Sequence, residues 1–413
     1  MRKGLSAAGV TASLSFCLVA NLVPLMTFPA VMPDVVGAWR LTASEAGWIG
    51  GIYFAGYAAA VPILASATDR VDGRPIVVAS SVLGAVASLA FGLAADGFWV
   101  GLFLRLLGGA ALAGVHMPGL VLLTERLEGP DQGRGASIYT SCYAIGSAGS
   151  FLVAAGIAVW LGWRAAFIAG AIAPLLAVAA LAGLSAAPPR QTTVQAQIGF
   201  CDVLRNRPFM AYVFAFAGNT WEVFGIRVWF VACLAWMVQI PGNEMDLPNL
   251  ALISGLAALA GVPVSIAVAE AASRWDQAAV IVLTCAVSVA VCLGLAATAG
   301  GSIAVVLILL ILLQITSFAD VGALGAGAVV LAEPARRGAS LAVYALAGFT
   351  TGFLGPVTFG LVLDWFGSDS AAGWRAAFLT LTLGSAVAAL AVWTVRRAGP
   401  PGQPGSGGAR HRE

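Results

Sequence analysis

Apolar stretches of about 20 residues, the helix length that crosses a hydrocarbon layer, follow one another along the whole of this chain. Short clusters of charge, proline, glycine or tryptophan separate them. Cutting at those clusters gives twelve spans: 8–31, 45–66, 76–95, 99–124, 136–159, 165–185, 209–236, 249–270, 278–298, 302–331, 339–363 and 375–395. Of the 413 residues, 60% are hydrophobic and 10% charged. A soluble domain is about a quarter charged, so this chain cannot coat itself for water. Disorder needs the opposite balance. A net charge of +2 on scattered basic residues excludes a nucleic-acid binder. The fold class expected is an all-α polytopic membrane protein. The start, Met1-Arg2-Lys3 and an apolar run, has the look of a signal peptide. The run continues past Leu25 without a small-x-small cleavage site, so we read it as the first span. Residues 398–413, rich in Gly, Pro and Arg, read as a disordered tail.

Basic residues collect on the cytoplasmic side of a membrane. With both termini cytoplasmic, sixteen of the 21 Lys and Arg fall in cytoplasmic segments, three in outer loops (Arg40, Arg164, Arg375) and two inside spans (Arg105, Arg227). An odd span count would scramble this segregation. Trp39, Trp48, Trp99, Trp160, Trp163, Trp236, Trp365 and Trp374 lie near span ends, as an interfacial belt requires. The six cysteines show no C-x-x-C spacing and read as small buried residues. A single lysine against twenty arginines points to a GC-rich bacterial genome, hence to an inner membrane.

An internal repeat is visible. Gly162-Trp163-Arg164-Ala165-Ala166-Phe167 recurs as Gly373-Trp374-Arg375-Ala376-Ala377-Phe378, and Arg134-Gly135-Ala136-Ser137 recurs as Arg337-Gly338-Ala339-Ser340. The near-equal offsets and matching topological places indicate a duplicated six-span unit. An even span count per unit makes the halves parallel, an architecture with a site between them. The divisions expected are 1–185, a cytoplasmic linker 186–207, 208–397 and the tail 398–413.

With these residues in view the chain resembles the major facilitator superfamily (MFS). Ala65-Ser-Ala-Thr-Asp69-Arg70-Val-Asp72-Gly73-Arg74-Pro75 is similar to the family's loop signature Gly-x-x-x-Asp-Arg-x-Gly-Arg-Arg. It departs at Ala65, at the extra Asp72 and at Pro75. Arg105-Leu-Leu-Gly108-Gly109 resembles the family's Arg-x-x-x-Gly motif, and Glu125-Arg126 before an Arg-Gly start of span 5 is similar to its pattern. The resemblance implies a twelve-helix transporter, with Asp69, Arg70, Gly73 and Arg74 as a cytoplasmic gate. Glu270, Arg274 and Asp276 stand in the equivalent place of the second half. The family's exporters often carry Gly-Pro in span 5; here Gly146-x-x-Gly149 has none, while span 11 carries Gly348, Gly352, Gly355, Pro356 and Gly360, predicting close packing and a kink.

Ionisable groups in hydrocarbon cost about 2.5–3.5 kcal/mol or more and mark functional positions. Here they are Arg105 and His116 on span 4, Glu222 and Arg227 on span 7, and Asp320 on span 10. In the family, those spans line the central cavity. Arg105 and His116 share a helix face, as do Asn219 and Glu222; Thr316, Ser317 and Asp320 form one stripe. Glu222 and Arg227 sit too far round the helix to pair. Arg105 and Arg227 suit an anionic substrate group. Glu222 and Asp320 are candidates for proton coupling and His116 for a proton relay. Arg105 and His116 also have plain structural readings, and the acids could pair with the arginines. Trp221 and Phe224, with Asn21 and Thr27, are candidates for a polar and aromatic pocket.

The function expected is proton-coupled transport of a small polar, anionic or zwitterionic solute by alternating access. The alternatives are proton-driven export of amphipathic compounds and a non-transporting receptor. No phosphate loop, metal spacing or nucleophile motif suggests an enzyme. No cofactor is expected; the partners are the solute, protons and the lipid bilayer, with the chain a monomer.

Overall fold

A computed structural model describes all of the chain except residues 1–4, 69–70, 185–199, 244, 246, 248, 334–335 and 399–413. The tail and most of the linker therefore lie outside the described residues. The described residues form helices and no strands: α1 (Ala7–Leu22), α2 (Thr27–Trp39), α3 (Ala43–Thr68), α4 (Gly73–Ala94), α5 (Phe98–Glu125), α6 (Pro130–Leu181), α7 (Phe200–Arg205), α8 (Arg207–Val238), α9 (Leu250–Arg274), α10 (Gln277–Thr298), α11 (Ile303–Ala319), α12 (Val321–Leu331), α13 (Arg337–Phe366) and α14 (Ala371–Ala398). Helices α1 and α2 make one broken span, as do α11 and α12. Eleven segments are long and apolar enough to cross a membrane. One, α6, has 52 residues and is broken at Gly162 (φ 79°, ψ 170°) into two crossings, which makes twelve.

Polar residues before the apolar runs start the helices. Ser6, Asp72, Asn206, Asn249 and Asp276 accept from first-turn N–H groups of α1, α4, α8, α9 and α10. Thr42 and Glu45 bond reciprocally at the start of α3, a capping box.

Two parallel six-span halves result, and the repeated hexapeptides do the same work in each. Arg164 donates to the carbonyls of Gly92 (3.2 Å) and Ala95 (3.4 Å) at the end of α4. Arg375 donates to Ala299 (3.3 Å) at the end of α10. A cation at a helix C-terminus satisfies leftover carbonyls and opposes the dipole. Trp163 meets Trp39 edge-on (5.6 Å), and Trp374 stacks on Trp236 (5.3 Å). These four tryptophans pack in two pairs, whereas Trp99, Trp160 and Trp365 are exposed. Span 11 packs closely through its glycines, as expected, and α13 runs unbroken through Pro356.

An even span count puts both chain ends on one side; the opposite end is called the far side. Helix α1 packs on α5 and α6 of its own half, while α2, at the far side, also packs across the seam on α8 and α9. Gly47 and Gly51 of α3 lie against the backbone of Pro356 and Phe353 on α13. Asn249 donates to Ala155 (3.2 Å). Both carboxylate oxygens of Asp364, at the end of α13, accept from the first N–H groups of α3, at Ala43 (2.9 Å) and Ser44 (2.7 Å). An anion on a helix N-terminus is favourable, so Asp364 ties the halves together at the far side.

Asp364→Ala removes both bonds. It is expected to raise the population open at the far side roughly threefold, read as faster maleimide labelling of a cysteine placed at Phe353. An unchanged labelling rate would dismiss the tie.

Candidate functional site

The buried charges expected to share one space occupy three places. The first is inside the first half. Span 1 breaks over Val23–Met26, and the break frees backbone groups that no water can serve. Arg105 donates to the carbonyls of Pro24 (3.0 Å) and Leu25 (2.9 Å). Ser150 donates to Val23 (2.6 Å) and accepts from the N–H of Met26 (2.9 Å). Thr27 adds a bond to Val23 (3.1 Å). The guanidinium of Arg105 also lies over Tyr53 (4.4 Å). Arg105 thus holds a broken helix together through carbonyls. A small cavity beside it, roughly one water in size, is lined by Asn21, Pro24, Tyr53 and Ser88.

The second place is the seam. His116 does share a face with Arg105, toward α3: its Nδ1 is 2.8 Å from the hydroxyl of Tyr57. It stacks on Tyr143 (4.7 Å). Tyr57 packs on Phe349 (3.9 Å) and Phe54 on Phe224 (3.9 Å), both across the seam. Arg227 reaches from α8 to Ser147 of the other half (3.1 Å), with its guanidinium 4.9 Å from the ring of Phe318. Among the described residues it has no carboxylate partner.

The third place is inside the second half, where the two stripes read from helical spacing meet. Glu222 on α8 accepts from Ser288 on α10 (2.5 Å) and from Ser385 on α14. Asn219, one turn earlier, donates to the carbonyl of Ser317 (2.7 Å) and to Asp320 (2.7 Å). Ser288 lies 3.3 Å from Thr316, and Cys285 and Cys292 approach Asp320 (3.5 Å) and Glu222 (3.6 Å). These side chains surround a tight polar cavity with no room for a water. Glycines explain how α8 and α14 come close enough. A methyl on Gly218 would strike the carbonyl of Gly384, and one on Gly384 that of Gly218; one turn further on, Glu222 meets Ser385.

Several expectations change. Neither acid pairs with Arg227 or Arg105: both acids face neutral donors, because Arg227 turns to the seam and Arg105 to span 1. Trp221, Phe224, Asn21 and Thr27 have separate partners among the described residues. Trp221 donates to Thr380 (3.0 Å), clamping α8 to α14. Phe224 lies on the seam, and Asn21 bonds Ser81 (3.1 Å) within the first half. Spacing alone cannot say which stripes face each other, and this is why Tyr57, Tyr143, Ser147, Ser150, Ser288 and Ser385 were missed.

At the gate signature, Asp69 and Arg70 lie outside the described residues. Gly73 begins α4 and is buried, its absent side chain leaving room for the carbonyl of Pro118. The N–H of Arg74 bonds Asp72 (3.1 Å), and Asp72 pairs with Arg126 at the end of α5 (3.2 Å). The extra residue in the signature is thus both cap and ion-pair partner. In the second half, Asp276 caps α10 and pairs with Arg396 on α14 (2.7 Å). The N–H of Ala279 first, and Arg396 after it, hold the Asp276 carboxyl below its ordinary value.

Two tests follow from this geometry. Arg105→Met, which keeps length and loses donors, leaves two buried carbonyls unpaired at about 1–3 kcal/mol each. The detergent-solubilised variant should melt several degrees lower, with Arg105→Lys in between; equal melting of all three would exclude the bracing role. For Asp276 the folded value is depressed, so its stabilisation is present above about pH 4 and fades as pH falls through the folded value. Asp276→Asn should melt below the parent at pH 7, and the gap should close toward pH 3. A gap that widens in acid would contradict this.

The Major Facilitator Superfamily model matches residues 14–332. The niacin transporter NiaP of Acinetobacter baylyi is 26% identical over 142 residues, which is 34% of this chain and 32% of that protein. The match thus spans about a third of the curated relative's length. Among solved structures, a bacterial homologue of the human lysosomal transporter Spinster, inward-facing and occupied, superposes with TM-score 0.78 at 15% identity over 94% of this chain and 96% of that one. The nucleoside transporter NupG superposes with TM-score 0.75 at 13% identity over 93% and 99%. At these identities the structures speak for the fold.

Proposed function

Because the chain belongs to the Major Facilitator Superfamily, whose model covers more than three quarters of it, we propose that it carries a small anionic or zwitterionic organic solute by proton-coupled alternating access. The observation that carries this reading is Arg227: a cation buried at the seam, beside the ring of Phe318, with the neutral Ser147 its one hydrogen-bond partner among the described residues. A guanidinium with donors to spare is suited to a carboxylate. Niacin, named in one relative, is a small aromatic acid of that kind. His116, stacked on Tyr143 and 2.8 Å from the hydroxyl of the seam residue Tyr57, suits a polar, planar solute.

Positive residues on the terminal side support cytoplasmic termini in an inner membrane. With that orientation the closed far side is the outer one. Closing the terminal side then falls to the loop signature, with Asp69, Arg70, Gly73 and Arg74 as the gate and Asp72–Arg126 as its brace. For coupling, the second-half acids are placed well: Glu222 sits two turns or less from the seam residues Phe224 and Arg227 on the same helix.

Purified protein in liposomes, given an inward pH gradient and panels of carboxylates, amino acids, sugars and cationic dyes, should accumulate carboxylates. Arg227→Gln should cut that uptake by about tenfold or more. Glu222→Gln should abolish accumulation while leaving solute counterflow. Dye export with no carboxylate uptake would replace the reading with the efflux alternative, and normal accumulation by Glu222→Gln would remove Glu222 as the coupling group.

A further inference from the structure

Glu222 and Asp320 are 1% and 2% exposed, on neighbouring helices inside one bundle, and line the same polar cavity. Among the described residues their donors are neutral: two serines, two cysteines and an asparagine. No ion pair among the described residues involves either acid. Two bare carboxylates in a low-dielectric interior are not sustainable. The pair must hold two positive charges, as protons or as something else.

Asn219 says what else. Its Nδ2 is fixed by two acceptors, Ser317 O and Asp320 Oδ1, both at 2.7 Å, which sets the orientation of the amide. Its Oδ1 is then left buried, on a side chain that lines the polar cavity, with no donor among the described residues. A buried acceptor without a donor costs about 1–3 kcal/mol. Around the same cavity stand the hydroxyl oxygens of Ser288, Thr316 and Ser385 and the carboxylate oxygens of both acids. Hard cations take oxygen ligands, which here outnumber the one lining thiol, Cys285, and a divalent ion of calcium type needs six to eight oxygens and more room.

We propose that the nest formed by Asn219, Glu222, Ser288, Thr316, Asp320 and Ser385 binds one sodium-sized monovalent cation in exchange for one proton. The carboxyl pair alternates between two protons and one proton plus the cation, so charge is balanced in both states and Asn219 Oδ1 gains its partner in the second. This deepens the coupling role given above to the two acids. Its test involves no transported solute, so it fails or succeeds apart from the transport reading.

The full-length protein in detergent is melted at pH 8 in choline chloride, with NaCl, LiCl or KCl replacing choline at constant ionic strength. Sodium and lithium should raise the melting midpoint saturably by a few degrees, and potassium should not. The half-saturating sodium concentration should rise about tenfold for each pH unit of acidification where the proton competes. Glu222→Gln should melt at or above the parent in choline and lose the sodium response. Should that variant not fold, Ser288→Ala and Asn219→Leu are read instead, each expected to weaken the response tenfold or more. Equal effects of sodium, potassium and choline, a sodium response unchanged in the variants, or a half-saturation independent of pH would each overturn the proposal.

Discussion

In hydrocarbon an unpartnered backbone N–H or C=O costs several kcal/mol, and this demand shapes both broken spans of the chain. The break at Val23–Met26 survives because other helices supply what the missing turn would have supplied: Arg105 to two carbonyls, Ser150 to one N–H and one carbonyl. The arginine is itself a charge in the interior, stabilised by carbonyl dipoles and an aromatic face rather than by an acid. Break and charge thus compensate each other, and neither would be stable in the bundle alone. At the other break Asp320 stands at the joint of α11 and α12, where Asn219 donates both to it and to the carbonyl of Ser317.

The duplicated halves share a scaffold and differ in where charge was placed on it. Arg164 and Arg375, the tryptophan pairs and the caps Asp72 and Asp276 do matching work in each half. Even so, Asp72 takes its arginine from α5 and Asp276 from α14. The first half carries one buried cation, Arg105, and the second a pair of buried acids together with Arg227, which turns to the seam. Such division supports a molecule whose halves have different duties, one braced around a broken helix and one holding exchangeable positive charge.

Much of this was legible in the sequence. Span length and hydrophobicity fixed the helices, because a twenty-residue apolar run has few other fates. The twin hexapeptides exposed the duplication. Helical arithmetic found the polar faces of α8 and of the tenth span. What it could not find was contact. Carbonyl partners for Arg105 exist at every residue and leave no mark. The meeting of Glu222 with Ser385 depends on two glycines, Gly218 and Gly384, 166 positions apart in the chain. Asp364 reads in sequence as an ordinary loop acid, and only the approach of α3 gives it a use.

Alternating access requires a seam that holds and still parts. Across this one, contact is made by glycines on backbone, by aromatic faces, and by a few single bonds: Asp364 to α3, Asn249 to Ala155, Arg227 to Ser147. Among the described residues no ion pair crosses it. Each of those polar groups can trade its partner for water as the halves separate, so opening exposes surface without stranding a charge. The groups that water could not serve, Arg105 and the two acids, lie within one half or the other, where a rigid-body rocking of the bundles leaves their contacts intact.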